Sequence, residues 1–374
     1  MYNILLWVGY NSNAFDGNTT KGVAGTEVAI INVSKRLRAT YGWNVTVSGM
    51  VNTTTVDGVE WIDINAFEGK YSKQPNHFNA VVGVNYIHFI KYMEELNQKG
   101  AVFLFWAHNT DFFPWYKGEQ FAQAEIEDYL GRIDVLITPS SWALDHWVKH
   151  IYKGDLTQKG LVIPNGINPD EFKNSLSTQK IPNRFIWSSA VDRGLVELLD
   201  NWYKVRLVIP DATLDVYYPS YSNPHTPDCS WFNIEGVVDR LESMVGSGVT
   251  DMGSVSQKDL HNAMMKSSYW MYLSHYEETF CITALEMAAA GVLAVCSNKA
   301  ALTEVVGAGI IIEPTDYGDM FDQAVTRLAR YSPEMKEKDV TTAKGLADSK
   351  SWDSSSRMWH ELLCQVLPTG VNRS

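Results

Sequence analysis

The chain has 374 residues, of which 45% are hydrophobic, and this length can bury the cores of two ordinary domains. Its 31 basic and 43 acidic residues give a formal net charge of −12, which argues against nucleic acid or an anionic membrane as a partner. No apolar run approaches the ~18 residues of a transmembrane segment, so none is expected. The four cysteines are scattered without metal spacing, which is typical of reduced thiols in a cytoplasmic protein.

Apolar runs and helical patterns alternate along the first half of the chain. The predicted strands are 4–8, 44–50, 77–85, 101–108 and 134–140. The predicted helices between them are 27–39, 87–98 and 120–133. Alternating strands and helices with apolar strands indicate a parallel sheet that is covered by helices on both faces.

The same alternation begins again after residue 180. The predicted strands are 184–189, 213–219, 268–274, 292–297 and 309–313, with helices at 193–209 and 351–367. The segment 162–183 is rich in Pro, Asn, Gly and Ser, which is typical of a linker. The sequence therefore predicts an α/β protein with two doubly wound, Rossmann-like domains, 1–170 and 171–351. Ligands of such sheets bind beyond the carboxyl ends of the strands, so we expect those loops to face a cleft.

Two carboxylates stand eight positions apart in the segment HYEETFCITALEMAAAGVLAVCS (275–297). Glu278 follows a predicted strand, and Glu286 lies about one turn inside the helix that ends near Gly291. A carboxylate accepts two hydrogen bonds side by side, which suits the vicinal hydroxyls of a ribose or a sugar. The alternative is that Glu278 only caps the helix and Glu286 is a surface residue.

This segment resembles the hallmark of glycosyltransferase family 4, the retaining GT-B enzymes: Glu, seven residues, Glu, with an aromatic at the third position, here Phe280. The resemblance implies that Glu278 contacts the donor sugar and Glu286 the ribose of its nucleotide. It also places Thr279, Phe280, Cys281 and Ile282 at the donor. Cys281 departs from the family, which commonly has Gly at this position.

Two further stretches are similar to donor-binding segments of the family. TKGVAGTEVAI (20–30) resembles the turn under the donor diphosphate, with Gly25 at the helix start and Glu27 after it. SSAVDRGLVELL (188–199) resembles the first loop of the second domain, where two cations are common. This chain has only Arg193 there, with Ser188 or Ser189 near the place of the first cation.

The family resemblance extends to an acceptor side in the first domain. His108 follows the predicted strand 101–108 and is similar to the cleft histidine of the family, although a lone histidine is more often a structural residue. Asn109, Asp111 and Glu27 are the other candidates for this side. The tail 352–374 resembles the last helix of the family, which packs back on the first domain.

The resemblance implies a retaining glycosyltransferase with His108, Arg193 and Glu278 as catalytic residues, which we expect to be cytoplasmic and metal-independent. Its donor would be a UDP- or GDP-linked sugar, its acceptor a carbohydrate or glycoconjugate, and no further cofactor is expected. Two alternatives remain open, a nucleotide-sugar epimerase and a non-catalytic sugar-binding scaffold. A dinucleotide dehydrogenase fits less well because the glycine turn lacks G-x-G-x-x-G.

Overall fold

The computed structural model describes residues 2–9, 14–20, 23–112, 115–116, 119–151, 159–218 and 236–367. The chain divides into two compact units, which are described separately below. The first unit contains Met1–Thr19, Gly25–Asn165 and Trp352–Ser374, and the second contains Thr20–Ala24 and Gly166–Ser351. The principal division thus falls after Asn165, five residues before the boundary predicted from the linker composition.

The first unit is built on an eight-stranded sheet with the order β10-β9-β6-β5-β1-β2-β4-β3. Its strands are β1 (Asn3–Gly9), β2 (Asn44–Gly49), β3 (Thr54–Val56), β4 (Val59–Asp63), β5 (Ala80–Val84), β6 (Val102–Trp106), β9 (Val135–Thr138) and β10 (Gly160–Val162), and a separate hairpin contains β7 (Trp115–Tyr116) and β8 (Glu119–Gln120). All neighbours in the large sheet are parallel except the edge pair β3–β4, which is antiparallel. The sequence analysis did not predict this pair, because its short strands lie in the segment with the weakest pattern.

Among the described residues, five α-helices follow or flank these strands, besides a π-helical turn (Trp147–Ile151) and the last helix of the chain. They are α1 (Gly25–Ala39), α2 (Ile64–Tyr71), α3 (Phe89–Glu95), α4 (Gln123–Gly131) and α5 (Ser141–His146). Helix α1 has Glu27 in its first turn and Arg36 and Arg38 in its last turn, charges that complement the helix dipole. Strand β5 is buried at every position, as expected of a central strand with helices on both faces.

The second unit contains a six-stranded sheet with the order β13-β12-β11-β14-β15-β16, and all its neighbours are parallel. Its strands are β11 (Arg184–Ser188), β12 (Thr213–Tyr217), β13 (Val249–Gly253), β14 (Tyr269–Tyr272), β15 (Leu293–Ser297) and β16 (Ile310–Ile312). Its helices are α6 (Leu195–Val208), α7 (Val237–Ser243), α8 (Gln257–Lys266), α9 (Ile282–Ala289), α10 (Leu302–Val306), α11 (Tyr317–Leu328) and α12 (Pro333–Ser349). They pack in two groups, α6 with α7 and α11, and α9 with α8, α10 and α12.

The strand order of each unit reverses at one place in the sheet. In the first unit the chain proceeds outward from β1 in one direction and from β5 in the other, so the switch lies between these strands. In the second unit the switch lies between β11 and β14. Ligands of doubly wound sheets bind outside the carboxyl ends of the strands at such a switch. The loops after β11 and β14 are therefore the first place to search for a site in the second unit.

The last helix, α13 (Trp352–Val366), belongs to the first unit and packs against α1. Arg36 Nε donates to Asp353 Oδ1 at 2.6 Å, and the buried rings of Trp106 and Trp359 meet with centroids 4.8 Å apart. Burial of a tryptophan pair supplies most of the attraction here, because an exposed ion pair contributes little. In the described part of the chain, no helix is long and apolar enough to cross a membrane.

Candidate active site

The carboxyl end of β11 leads into a tight turn that presents Arg193. Residues Val191–Arg193 form one turn of 3-10 helix, and Gly194 follows in the left-handed region with φ 106° before α6 begins. A Cβ atom at Gly194 would lie 3.2 Å from the carbonyl oxygen of Leu273, at the exit of β14. A glycine is therefore needed both for the backbone angle and for the close approach of the two loops.

Arg193 has a guanidinium that is only partly satisfied by protein groups. Its Nε lies 3.3 Å from Asp192 Oδ1, and its Cζ lies 3.1 Å from the centroid of the Tyr276 ring. Its Nη1 is buried and has no hydrogen-bond partner among the described residues. The hydroxyl oxygen of Ser188, at the end of β11, is likewise buried and unpaired there. Two orphaned polar groups at a switch point are suited to an anionic or polar ligand.

Ser189, the other serine of this turn, is half-buried. Its carbonyl oxygen accepts a hydrogen bond from Trp187 Nε1 at 2.9 Å. The backbone of Ser189 thus fixes the strand end, whereas the hydroxyl of Ser188 is the buried polar atom that has no partner among the described residues.

Glu278 lies in the loop after β14, where Tyr272 holds its side chain. The buried Tyr272 hydroxyl donates to Glu278 Oε1 at 2.6 Å. Burial raises the pKa of Glu278, and the charge of Arg193 and the hydrogen bond from Tyr272 counter part of that rise. Arg193 and Glu278 therefore act on each other electrostatically at the switch between β11 and β14.

The start of α9 completes this loop. Phe280 is buried in the core of the second unit, and Cys281 precedes the helix with φ 68° and ψ 79°. A left-handed conformation is costly for any residue with a Cβ, which explains why glycine is common at this position in the family that the sequence resembles. Thr279 and Ile282 are half-buried on either side of this turn. Gly291, with φ 71°, follows the end of the helix, as the sequence predicted.

Glu286 is buried, with 8% of its surface exposed, so the alternative of a surface residue is wrong. Its Oε1 accepts a hydrogen bond from Gln257 Nε2 at 3.0 Å and lies 3.2 Å from His261 Nε2. Gln257 and His261 are four residues apart in α8, so both lie on the face of that helix directed at α9. The other carboxylate oxygen, Oε2, has no hydrogen bond among the described residues.

His261 connects Glu286 to a second acid. Its Nδ1 lies 2.8 Å from Glu171 Oε2, and the Phe172 ring packs against the imidazole with centroids 4.6 Å apart. Burial lowers the pKa of His261, but the hydrogen bonds and charges of Glu171 and Glu286 outweigh this and raise it to about 9. The two acids therefore favour the protonated form of His261.

The remaining predicted donor residue, Gly25, is exposed at the start of α1 in the first unit. Glu27 is half-buried in the first turn of the same helix. Lys21 and Gly22, from the stretch that resembles the diphosphate turn, lie outside the described residues. Both described residues follow β1, one of the two strands at the switch of the first sheet.

The other predicted acceptor residues, His108, Asn109 and Asp111, follow β6, which lies next to β5 in the sheet. The backbone N–H of His108 donates to Asn85 Oδ1 at 2.7 Å, and its ring packs on Trp106 at 4.5 Å between centroids. Burial lowers the pKa of His108 to about 3, so its ring is neutral. The carbonyl oxygen of Asn109 accepts from Trp147 Nε1 at 3.0 Å, and the exposed Asp111 accepts from the Phe112 N–H at 2.7 Å.

Sequence reasoning missed the side chains that hold the acidic pair and the arginine in place. These are Glu171, Gln257, His261, Tyr272 and Tyr276. Gln257 and His261 have helical spacing, but no sequence signal indicates which buried group faces them. Tyr272 and Tyr276 were within the segment analysed, and their roles depend on side-chain directions that periodicity does not give.

Part of the second unit is similar to a known protein family. Residues 241–339 match the family profile described as Glycosyl transferases group 1. The matched segment contains the acidic pair, Gln257 and His261. The O-antigen chain mannosyltransferase B of Escherichia coli is 33% identical over 106 residues, 28% of this chain and 26% of that protein. The match thus spans about a quarter of the relative's length.

Solved structures extend the likeness to the whole chain. Sucrose-phosphate synthase from Thermosynechococcus elongatus superposes with a TM-score of 0.72 at 16% identity, covering 98% of this chain and 99% of that chain. Anabaena Alr3699/HepE in complex with UDP has a TM-score of 0.66 at 12% identity, covering 98% and 100%. At these identities the likeness shows the fold, and the fold is that of the GT-B glycosyltransferases, which confirms the sequence prediction.

Proposed function

We propose that the protein is a retaining glycosyltransferase that moves a sugar from a nucleotide-diphosphate donor to a hydroxyl of a carbohydrate or glycoconjugate. One observation carries the proposal: Arg193 and Glu278 stand together after β11 and β14, at the switch point, with Arg193 Nη1 unsatisfied. A cation beside an acid at this position suits a ligand that has both a diphosphate and sugar hydroxyls.

The reaction breaks the bond between the anomeric carbon and the donor diphosphate and forms a bond to the acceptor oxygen. Negative charge grows on the departing diphosphate, and Arg193 is oriented for it by the Tyr276 ring and Asp192. A preorganised cation in a partly buried site stabilises such charge strongly. We assign Ser188 to the same diphosphate, because its buried hydroxyl has no partner among the described residues.

Glu278 is assigned to the hydroxyls of the donor sugar, with Tyr272 fixing its orientation. Glu286 is assigned to the ribose, and its Oε2 is the oxygen directed at the ligand because Oε1 is held by Gln257 and His261. A UDP- or GDP-linked donor remains the proposal. The UDP complex of Alr3699/HepE supports a UDP-linked donor. The name of the mannosyltransferase relative is compatible with a UDP-linked or a GDP-linked donor.

Three parts of the sequence prediction stay proposals. The acceptor side is assigned to Glu27, His108, Asn109 and Asp111, with His108 acting through hydrogen bonding because its ring is neutral. Metal independence rests on Arg193 as the group that neutralises the diphosphate. A cytoplasmic location rests on the scattered cysteines, of which Cys281, Cys296 and Cys364 are free thiols in the described residues.

The test is a panel of UDP- and GDP-sugars, scored by thermal shift and by slow hydrolysis of the donor with and without saccharide acceptors. We expect one donor to raise the unfolding temperature of the protein. We also expect the release of free nucleotide to be faster when an acceptor is present, and this should hold in the presence of excess chelator. The anomeric configuration of the product, read by NMR coupling constants, then tests retention. An epimerised donor without acceptor dependence would favour the epimerase, and binding without turnover would favour the scaffold.

A further inference from the structure

The second unit contains a chain of polar contacts that begins at the buried Glu286 and ends at the exposed Glu171, outside the acidic-pair motif. Asn168 Nδ2 donates to Glu171 Oε1 at 3.0 Å, and Glu171 Oε2 lies 2.8 Å from His261 Nδ1. On the other side of the ring, His261 Nε2 lies 3.2 Å from Glu286 Oε1. The imidazole therefore stands between two carboxylates that come from different elements, the turn at 169–172 and α9.

The protonation state of His261 follows from its partners. Each ring nitrogen faces a carboxylate oxygen, which can only accept, and Nε2 also lies 2.9 Å from Gln257 Nε2. Both carboxylate contacts are hydrogen bonds only in the imidazole that carries a proton on each nitrogen. The groups that face the ring are Glu171, Glu286, the Gln257 amide and the Phe172 ring. No cation is among them in the described part of the unit, and burial, which opposes the positive charge of the imidazole, is outweighed by the two carboxylates.

We propose that His261 is a positioning residue for the nucleotide: protonated and anchored by Glu171, it fixes Glu286 Oε1 and leaves Oε2 aimed at the ribose. The proposal rests on the proposed donor site and adds a pH-dependent element to it. When Nε2 of His261 loses its proton, its hydrogen bond to Glu286 Oε1 is lost and Gln257 alone still donates to that oxygen, so the carboxylate is held less firmly. Nucleotide affinity should then fall in the pH range in which His261 titrates.

Glu171→Gln isolates this effect with little change in shape. The amide is isosteric with the carboxylate and its side chain is partly exposed, but it removes one of the two charges that raise the pKa of His261. The variant should lose the His261 proton at lower pH than the wild type. Asp170→Asn is the matched control, because Asp170 is exposed on the same turn and has no contact with the ring.

The first measurement is an NMR titration of protein that is labelled at its nine histidines. One imidazole should titrate at about pH 9, its signal should be absent in His261→Asn, and Glu171→Gln should move its titration lower while Asp170→Asn should not. A His261 signal that titrates at or below its ordinary pKa of about 6.5 would overturn the proposal.

The second measurement is the Kd for UDP and for GDP by calorimetry, with each variant compared to wild type at the same pH so that ionisation of the nucleotide cancels. For Glu171→Gln, the ratio of the variant Kd to the wild-type Kd should be near one at pH 6. It should rise in the pH range in which His261 is protonated in the wild type but not in the variant. Above pH 9, where both have lost the proton, the ratio should return to one. For His261→Asn it should be about 10- to 150-fold at neutral pH, the size of one charged hydrogen bond. Ratios that stay flat with pH contradict the positioning role.

Failure of the donor site would give a different result. If neither UDP nor GDP binds the wild type, or if Glu286→Ala leaves their Kd unchanged, the proposed function and the positioning role are both overturned. If nucleotides bind through Glu286 but the ratio for Glu171→Gln equals that of Asp170→Asn at every pH, the inference about His261 alone is wrong.

Discussion

At the scale of single residues, the site combines side chains whose polar atoms are paired with side chains that keep an unpaired buried polar atom. Tyr272 and His261 are fully engaged with the two acids, while Arg193 and Ser188 each keep a buried polar atom without a partner in the described residues. Buried polar groups are nearly always paired, so the exceptions mark places where a ligand completes the structure. Predictions at this scale therefore concern what each of these side chains does for a ligand.

Replacement of Arg193 should lower turnover more than donor binding. We expect Arg193→Ala to lose about 3 kcal/mol of transition-state stabilisation, or about a hundredfold in kcat, with Arg193→Lys recovering part because a point charge still serves the phosphate. Arg240→Ala is the control, since Arg240 is an arginine of the same unit that pairs with Asp200. Steady-state kinetics and calorimetry with free nucleotide provide the two readings.

Glu278→Gln should fail differently from the arginine variants. It keeps the shape of the side chain but accepts hydrogen bonds more weakly, so free nucleotide should bind as in the wild type while transfer falls. The same kinetic and calorimetric measurements apply. Loss of free-nucleotide affinity in Glu278→Gln together with full turnover in Arg193→Ala would show that both assignments are wrong.

Cys281 carries the backbone strain that glycine would relieve. Because its φ is 68°, we expect Cys281→Gly to be more stable than Cys281→Ala by about 1 kcal/mol, after the greater flexibility of glycine in the unfolded chain is subtracted. Comparing the two variants cancels the loss of the thiol. At Cys364, inside α13, the order should reverse, with Ala more stable than Gly by about 1 kcal/mol. Urea unfolding of the four variants measures both differences.

At the scale of elements, the site depends on how two loops approach each other. The turn after β11 and the loop after β14 come from neighbouring parallel strands, and Gly194 is the point where they touch. Sequence periodicity predicted both strands and both helices that follow them. It predicted a helix over 193–209, whereas α6 begins at Leu195 and Arg193 lies in the preceding turn.

Gly194→Ala tests whether this contact positions Arg193. The added Cβ meets the Leu273 carbonyl and adopts an unfavourable φ, so stability should fall by about 1–3 kcal/mol and turnover should fall with it. Gly246→Ala is the matched control, because φ there is +83° and a Cβ meets nothing within 4 Å. The control should lose stability without losing turnover. Turnover is measured for each variant well below its midpoint temperature of unfolding. Equal turnover in the two variants would show that this contact is not needed for catalysis.

At the scale of the whole molecule, the two units hold their buried histidines in opposite charge states. In the first unit, burial lowers the pKa of His108 to about 3 and that of His88 to about 4. In the second unit, burial is outweighed by two carboxylates, and the pKa of His261 is raised to about 9. The pKa of a histidine in the unfolded chain is about 6.5 in every case. The first unit should therefore lose stability as the pH falls, and the second as the pH rises.

The sign follows from which state binds the proton. His88 and His108 contribute stability above pH 6.5 that is lost as the pH falls toward 4, at about 1.4 kcal/mol per pH unit for each. His261 contributes stability that is fully present below pH 6.5 and is lost as the pH rises through about 9. Hydrogen exchange measured by mass spectrometry, corrected for intrinsic rates, should show acid loss of protection in the first unit and alkaline loss in the second. Loss of protection in both units over the same pH range would contradict this assignment.

The sequence by itself determined the fold class and the strands that carry the site. Alternating apolar strands and helices fix a parallel α/β architecture, because only buried parallel strands are apolar on both faces. The motif from Glu278 to Glu286 and the Arg193 turn were readable because they are local, and each lies directly after a strand whose position was predicted. The short antiparallel pair β3–β4 was not readable, since strands this short carry no periodicity.

The tertiary structure decided which side chains serve these residues. Glu171 and His261 are 90 positions apart, and His261 and Glu286 are 25, so their contacts exist only after three elements have packed. The same packing buried Glu286, which the sequence left open as a surface residue, and placed His261 between two acids that raise its pKa. Burial and charge state depend on neighbours in space, and spacing along the chain does not specify those neighbours.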